Sequence, residues 1–167
     1  MQDEVFVPIH GFPRYEISNH GRVRNVETMQ CLKGKIQTDG YLQVCLRNEN
    51  CHSWMLIHRL VAVHFIPNPD NLPVVDHANC DKKDNYIGNL RWCSKQENNW
   101  NRGSVPGSSS IYKGVHWDHL YGKWKAQIHL DGKTSCLGFF DDEEDAGLAY
   151  DLAAECEHGQ FARLNLL

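Results

Sequence analysis

Asp76-His77, then Asn89-Leu90-Arg91-Trp92, then Glu97-Asn98-Asn99: these three short blocks decide how the chain is read. An oxygen donor beside an imidazole, followed by an amide on a helix, is the set of side chains that a one-metal phosphodiester hydrolase needs. A hard divalent ion takes oxygen ligands and neutralises charge on a phosphoryl centre, and imidazole accepts a proton near neutral pH. Asp76 is a natural metal ligand, and His77, its neighbour, alternates away from it towards the far side of a phosphate. Ser94 caps a helix over residues 94–101, with Glu97 three positions later, and the first turns of that helix present Asn98. The polar turn from Cys80 to Asn85 lies between the blocks, and Asn85 and Asn89 are amides suited to pinning it through backbone hydrogen bonds. On residue chemistry alone a capping Asp and a surface His give the same pair, so both readings stand at this point.

Upstream, residues 5–50 read as short strands and turns. Pro8 to Pro13 is a turn region, Tyr15-Glu16-Ile17 a strand, and Asn19-His20-Gly21 a tight reversal. Val23–Val26 and Tyr41–Leu46 alternate as half-wet strands do. Arg22, Arg24, Lys33, Lys35 and Arg47 are either phosphate contacts or plain surface. A helix follows, with Leu56, Leu60 and Val63 as its apolar stripe, Ile57, Val61 and His64 beside it, and Pro67 and Pro69 at its end. It brings His58 and Arg59 near the Asp76 segment, each a candidate phosphate clamp; a structural hydrogen-bonded role suits His58 equally.

Downstream, Gly103 to Ser110 reads GSVPGSSS, a linker and the clearest boundary in the chain. Three strands follow at Tyr112–Trp117, Lys123–Leu130 and Thr134–Phe140, with turns at Tyr121-Gly122 and Asp131-Gly132. In the middle strand Trp124, Ala126, Ile128 and Leu130 share one face and Lys123, Lys125, Gln127 and His129 the other. Asp141 or Asp142 caps a helix to about His158, with Gly159 just past it and Ala146, Ala149, Tyr150, Ala153 and Cys156 as its apolar stripe.

The net charge of -4 over 167 residues looks wrong for a nucleic-acid partner, but the distribution matters more. Residues 101–139 hold 5 Lys/Arg against 2 Asp/Glu, whereas 140–167 hold 1 against 8, led by the acidic run 141–145. That acid is expected to face solvent, away from the basic sheet. The seven cysteines form no CxxC pair, which argues for reduced thiols; a zinc site using Cys80 and Cys93, in an interaction protein, is a lesser alternative. With neither a secretory signal nor an apolar run of ~18 residues, the expected setting is intracellular, without a membrane.

The run His58-Arg59-Leu60-Val61-Ala62, Phe65-Ile66-Pro67-Asn68-Pro69, Asp76-His77, Asn85, Asn89-Leu90-Arg91-Trp92-Cys93 and Glu97-Asn98 resembles phage-type HNH homing endonucleases. Ile17-Ser18-Asn19-His20-Gly21-Arg22-Val23-Arg24 resembles the small module that often precedes that domain. The resemblance implies a ββα-metal core around one Mg²⁺ or Mn²⁺, with His77 as general base, Asp76 and Asn98 as metal ligands and Asn89 as the brace of the loop. Asn98 stands where the wider family commonly has His, a feature of the phage-type branch.

Tyr112-Lys113-Gly114-Val115, Trp124-Lys125-Ala126-Gln127-Ile128, Leu137-Gly138-Phe139-Phe140, Glu144-Asp145-Ala146, Ala149-Tyr150-Asp151 and Leu164-Asn165 resemble the AP2 DNA-binding domain. That family lays its sheet in the major groove, which implies contacts from Lys113, His116, Lys123, Lys125, Gln127 and Thr134. Lysine and histidine at the first two positions lack the bidentate fork that reads guanine.

The expected architecture is α+β and modular: a strand-rich module at 1–50, an HNH core at 51–102, a linker at 103–110, and at 111–167 a three-stranded antiparallel sheet packed on one helix. The expected activity is metal-dependent hydrolysis of double-stranded DNA, nicking as a monomer and cutting both strands as a homodimer on DNA. Arg59 and the sheet residues would hold the duplex. The alternative is a non-catalytic, sequence-specific DNA-binding protein built on a retained nuclease scaffold.

Overall fold

Phe6–Ile9 (β1), Phe12–Ser18 (β2) and Val23–Asn25 (β3) form an antiparallel sheet in the order β1-β2-β3. The segment from Pro8 to Pro13, expected as a turn, is a hairpin whose turn is confined to His10-Gly11. Pro8 is tolerated because β1 is an edge strand and its pairing is irregular between Pro8 and Ile9. The structure is a computed structural model and describes residues 3–49, 52–104, 107–130 and 132–166. The expected boundary at residues 50 and 51 lies outside the described residues, as do Val105 and Pro106 of the expected linker and Asp131 of the expected turn.

Lys35–Ile36 (β4), Leu42–Arg47 (β5) and His52–Leu56 (β6) make a second sheet, and β6 runs straight into helix α1, Ile57–Phe65. Ile66 closes α1 in an extended conformation, as the residue before a proline favours. Ile57, Leu60, Val61 and Ala62 of α1 join Ile9, Ile17, Val23, Val44, Leu46, Val75 and Leu90 in one buried core. Segment 1–50 and the part of 51–102 up to Trp92, read from the sequence as separate modules, thus share one interior. Small sheets of two or three short strands need such a partner to be stable. The apolar stripe of α1 also sits differently from expectation: Leu56 ends β6, and Val63 is 58% exposed while Ile57, Leu60 and Val61 face inward.

Val74–His77 (β7) and Leu90–Cys93 (β8) pair antiparallel, joined by a polar loop that ends in a 3-10 turn at Ile87–Asn89. Helix α2, Lys95–Trp100, follows. The chain divides into two compact units, Met1–Lys95 and Gln96–Leu167. The division falls before the expected linker because residues after Lys95 join the second unit: Trp100 stacks on His158 at 4.4 Å, and Lys113 Nζ donates to the carbonyls of Asn99 and Trp100. The end of the linker is tied down too. Ser110 Oγ donates to Glu143 at 2.6 Å, and Ser109 Oγ accepts from Trp117 N at 2.8 Å.

In the second unit Val115–Asp118 (β9), Lys123–Leu130 (β10) and Lys133–Phe140 (β11) form an antiparallel sheet in the order β11-β10-β9. β9 starts later than expected because the amides of Tyr112 and Lys113 bond to Ser110 Oγ and Asn165 Oδ1 instead of a ladder. Gly114 at φ +78° then brings the backbone against Tyr150, where a Cβ would stand 2.1 Å from the ring. Helix α3, Glu143–His158, is capped by Asp142, which accepts from Glu144 N at 2.7 Å, and closed by Gly159. Its buried face is Ala146, Tyr150 and Ala154; Cys156 is exposed, and Asp151 is fully buried, accepting from Asn165 N and Leu166 N.

Candidate functional site

β7 and β8 position the candidate pair, Asp76 and His77. Their register sets Asp76 opposite Arg91 and His77 opposite Leu90. Arg91 donates to Asp76 Oδ2 from Nε at 2.9 Å and holds the same oxygen from Nη2 at 2.8 Å. Asp76 and His77 are 6% and 3% exposed, so the pair sits at a buried strand end rather than in a surface turn. The His77 ring meets Asn85 through Nε2, 3.2 Å from Oδ1. An amide oxygen only accepts, so this contact calls for a proton on Nε2, and in the neutral ring that places the lone pair on Nδ1. Burial lowers the His77 pKa, opposed by the Asn85 bond and by the charge of Asp76.

Asn89 braces the loop from within. Its Oδ1 accepts from Asn79 N at 2.9 Å and its Nδ2 donates to Asp84 O at 2.8 Å, while Ala78 N donates to its carbonyl. Those bonds make it a positioning residue for the turn after His77. Behind the pair, His58 meets His77 edge to face at 5.2 Å and Tyr41 at 4.8 Å. Burial, with His77 and Arg59 nearby, pushes His58 down to about 4, and its Nδ1 has no hydrogen-bond partner among the described residues. An unfolded imidazole takes its proton near 6.5, so between the two values the unfolded chain binds more protons. The stability tied to this group is whole above the unfolded value and is lost as pH falls towards 4, by roughly 3 kcal/mol. Urea unfolding of the first unit at pH 7 and pH 4.5 should show that loss, and His58→Phe should flatten the slope.

The second unit presents a different surface. Register places His116 beside Lys125, Lys125 beside Phe139, Gln127 beside Cys136 and His129 beside Thr134, all on the sheet face opposite α3. A cavity of about 550 Å³ borders Lys113, His116 and Gln127. Lys123 pairs with Asp141 at 3.1 Å, so the acidic run is not wholly turned away from the basic sheet: its first member reaches across to it. Thr134 Oγ1 lies 3.1 Å from His129 Nδ1, and Lys113 is committed to the α2 carbonyls. Phe139, 38% exposed and packed on Tyr121 at 4.5 Å, adds an aromatic surface. A bulge between Ala126 and Gln127 shifts the alternation of β11 at Leu137, so simple period-two counting along β11 does not give the face of Phe139.

Residues 4–47 match the NUMOD4 motif, and residues 55–100 match the HNH endonuclease family. The chain carries an HNH endonuclease domain. It is 40% identical over 92 residues to an uncharacterized HNH endonuclease of Acanthamoeba polyphaga mimivirus, covering 55% of this chain and 28% of that protein. DNA endonuclease I-HmuI of Bacillus phage SP01 is 35% identical over 94 residues, 54% of each chain. A solved I-HmuI structure, described as DNA binding and cleavage by the HNH homing endonuclease, superposes with a TM-score of 0.54 at 34% identity, covering 58% of this chain and 56% of that one. The C-terminal part is similar to an AP2-like ethylene-responsive transcription factor of Arabidopsis thaliana, with 35% identity over 82 residues, 48% of this chain and 15% of that protein. The match thus spans about a quarter to a half of the nuclease relatives' own length.

The structure brings Asp76, His77 and Asn89 together on one strand pair and its loop, while Asn98 lies on α2 in the second compact unit. Arg59 donates to Pro73 O at 3.2 Å and lies over the Trp92 ring. Asn85 meets the His77 ring and Arg91 holds Asp76, two supporting roles that the motif alone does not assign. Among the upstream cations, Arg22 pairs with Glu4 and Arg24 with Glu16, so they serve the NUMOD4 segment's own surface. Among the described residues no group of three or more His, Cys, Asp or Glu side chains is arranged to hold a metal ion. No helix among them is long and apolar enough to cross a membrane.

Proposed function

We propose that this chain is a metal-dependent DNA endonuclease in which His77 is the general base and Asp76 and Asn98 hold one Mg²⁺ or Mn²⁺. The observation that carries the reading is the strand-end pair itself: an imidazole polarised through Nε2 by Asn85, beside a carboxylate anchored through one oxygen by Arg91. The donor set fits such an ion, since Asp76 and Asn98 each offer a hard oxygen donor and Mg²⁺ keeps several waters and substrate oxygens of its own. When bound, the ion supplies positive charge to the phosphoryl group and the leaving oxygen. His77 Nδ1 takes a proton from water as the water oxygen bonds to phosphorus. The bond to the 3′ oxygen breaks and that oxygen takes a proton from solvent water, leaving 5′-phosphate and 3′-hydroxyl ends while His77 later returns its proton to solvent. One such centre cuts one strand, so a monomer nicks and a homodimer on DNA would cut both.

The AP2-like unit would hold the duplex through its outward sheet face. Lys125→Ala should weaken duplex binding and lower the slope of log affinity against log salt by about one, measured by titration at several salt concentrations. The same face supports the second reading, a DNA-binding protein on a retained nuclease scaffold. Supercoiled plasmid decides between them. Open circles formed with Mg²⁺ or Mn²⁺ and abolished by EDTA support the nuclease. Tight binding without cleavage, including on a random-sequence library, supports the second reading.

A further inference from the structure

The base of the proposed reaction is held by a segment far from it in sequence. Asn85, 4% exposed, bonds the His77 ring, and its own position is set from two sides. Its Nδ2 donates to Lys83 O at 3.1 Å within the loop. From the NUMOD4 segment, Gly21 at φ +77° lies so close that a Cβ there would stand 2.6 Å from Asn85 Cβ and 3.1 Å from Asn85 O. Two residues on, Ile87 N donates to Asn19 O at 2.8 Å, and Tyr86 meets His20 edge to face at 5.1 Å.

The reversal that makes these contacts is itself rigid. Asn19 Oδ1 accepts from Val5 N at 2.9 Å, and its Nδ2 donates to Asp3 O at 3.0 Å. Ser18 Oγ accepts from His20 N and Arg22 N, and Gly21 N donates to Ser18 O. A bonded turn pressed against a loop fixes that loop more tightly than its own hydrogen bonds alone, and sub-ångström placement of a base matters to rate.

We propose that the Asn19-His20-Gly21 reversal is a positioning element for His77, acting through Asn85, so that the N-terminal segment is part of the reaction centre's support and not only an added module. The inference rests on His77 being the base, but its geometry can be tested without turnover. The side-chain ¹⁵N resonances of His77, recorded on the full-length, metal-free protein at pH 8, report which ring nitrogen carries the proton. Wild type should show the Nε2–H tautomer. Gly21→Ala should show a mixture of tautomers, as should Asn85→Ala, in which the acceptor is gone.

If Gly21→Ala fails to fold, Asn19→Ala is the second variant, because it only releases the reversal from Val5 and Asp3. In cleavage assays, Gly21→Ala and Asn85→Ala should each lower kcat at least tenfold with KM within twofold, and the double variant should fall no further than the worse single one. A folded Gly21→Ala or Asn19→Ala with the wild-type tautomer overturns the proposal, as do losses that multiply in the double variant. A wild type that holds the Nε2–H tautomer yet cleaves nothing would instead overturn the nuclease reading and leave the positioning intact.

Discussion

His77→Ala should abolish nicking of supercoiled DNA, lowering the single-turnover rate about 10³-fold, within the 10²–10⁴ range of general-base contributions. Duplex affinity should stay within twofold of wild type, since the ring is 3% exposed and the proposed duplex contacts lie elsewhere. His77 also contributes packing, with Tyr41 and His58 both against its ring. His77→Gln is therefore the better-matched control: it fills much of the space and keeps a polar tip, but supplies no base near neutral pH. Equal loss in both variants assigns the effect to proton transfer. Recovery of most of the rate in His77→Gln would mean the ring acts as a spacer and would remove it from the reaction. Thermal denaturation of each variant separates either result from unfolding.

Local signals carried much of this from the sequence. Lys123 to Leu130 alternates without interruption and is a strand over that whole span; Asp142 and Gly159 cap α3 as their chemistry suggests. What escaped depended on register and on distant partners. Nothing in Arg91 itself says that it stands opposite Asp76, because that follows from how β7 and β8 slide together, and a one-residue shift would reverse it. Val63 fits a helical stripe as well as Val61 does, and only the neighbours of α1 decide that Val63 faces out. The end of the linker shows the same dependence on partners: serine is a flexible-linker residue by composition, yet Ser109 and Ser110 are bonded to Trp117 and Glu143. Asn85 was legible as a loop-pinning amide but not as the partner of His77, eight residues back.

Asp76→Ala should lower cleavage at least as far as His77→Ala, about 10³-fold or more, but by a different route. A metal contributes several kcal/mol of charge stabilisation in phosphoryl chemistry, so removing a carboxylate ligand forfeits that term. The two variants should separate in Mn²⁺ binding followed by electron paramagnetic resonance. His77→Ala should keep the wild-type affinity, while Asp76→Ala should lose at least tenfold. Asp76→Ala also strips Arg91 of its carboxylate partner, and Arg91 is four-fifths buried along its side chain. Leaving a mostly buried charge without its partner is destabilising, so the first unit should also melt earlier. Arg91→Met isolates that second effect: it leaves the ligand in place while removing the anchor on Oδ2. If Arg91→Met binds Mn²⁺ within twofold of wild type but cleaves tenfold more slowly, the guanidinium orients the carboxylate for catalysis rather than for binding. If Asp76→Ala binds Mn²⁺ as wild type does, Asp76 is not a ligand and the metal assignment falls.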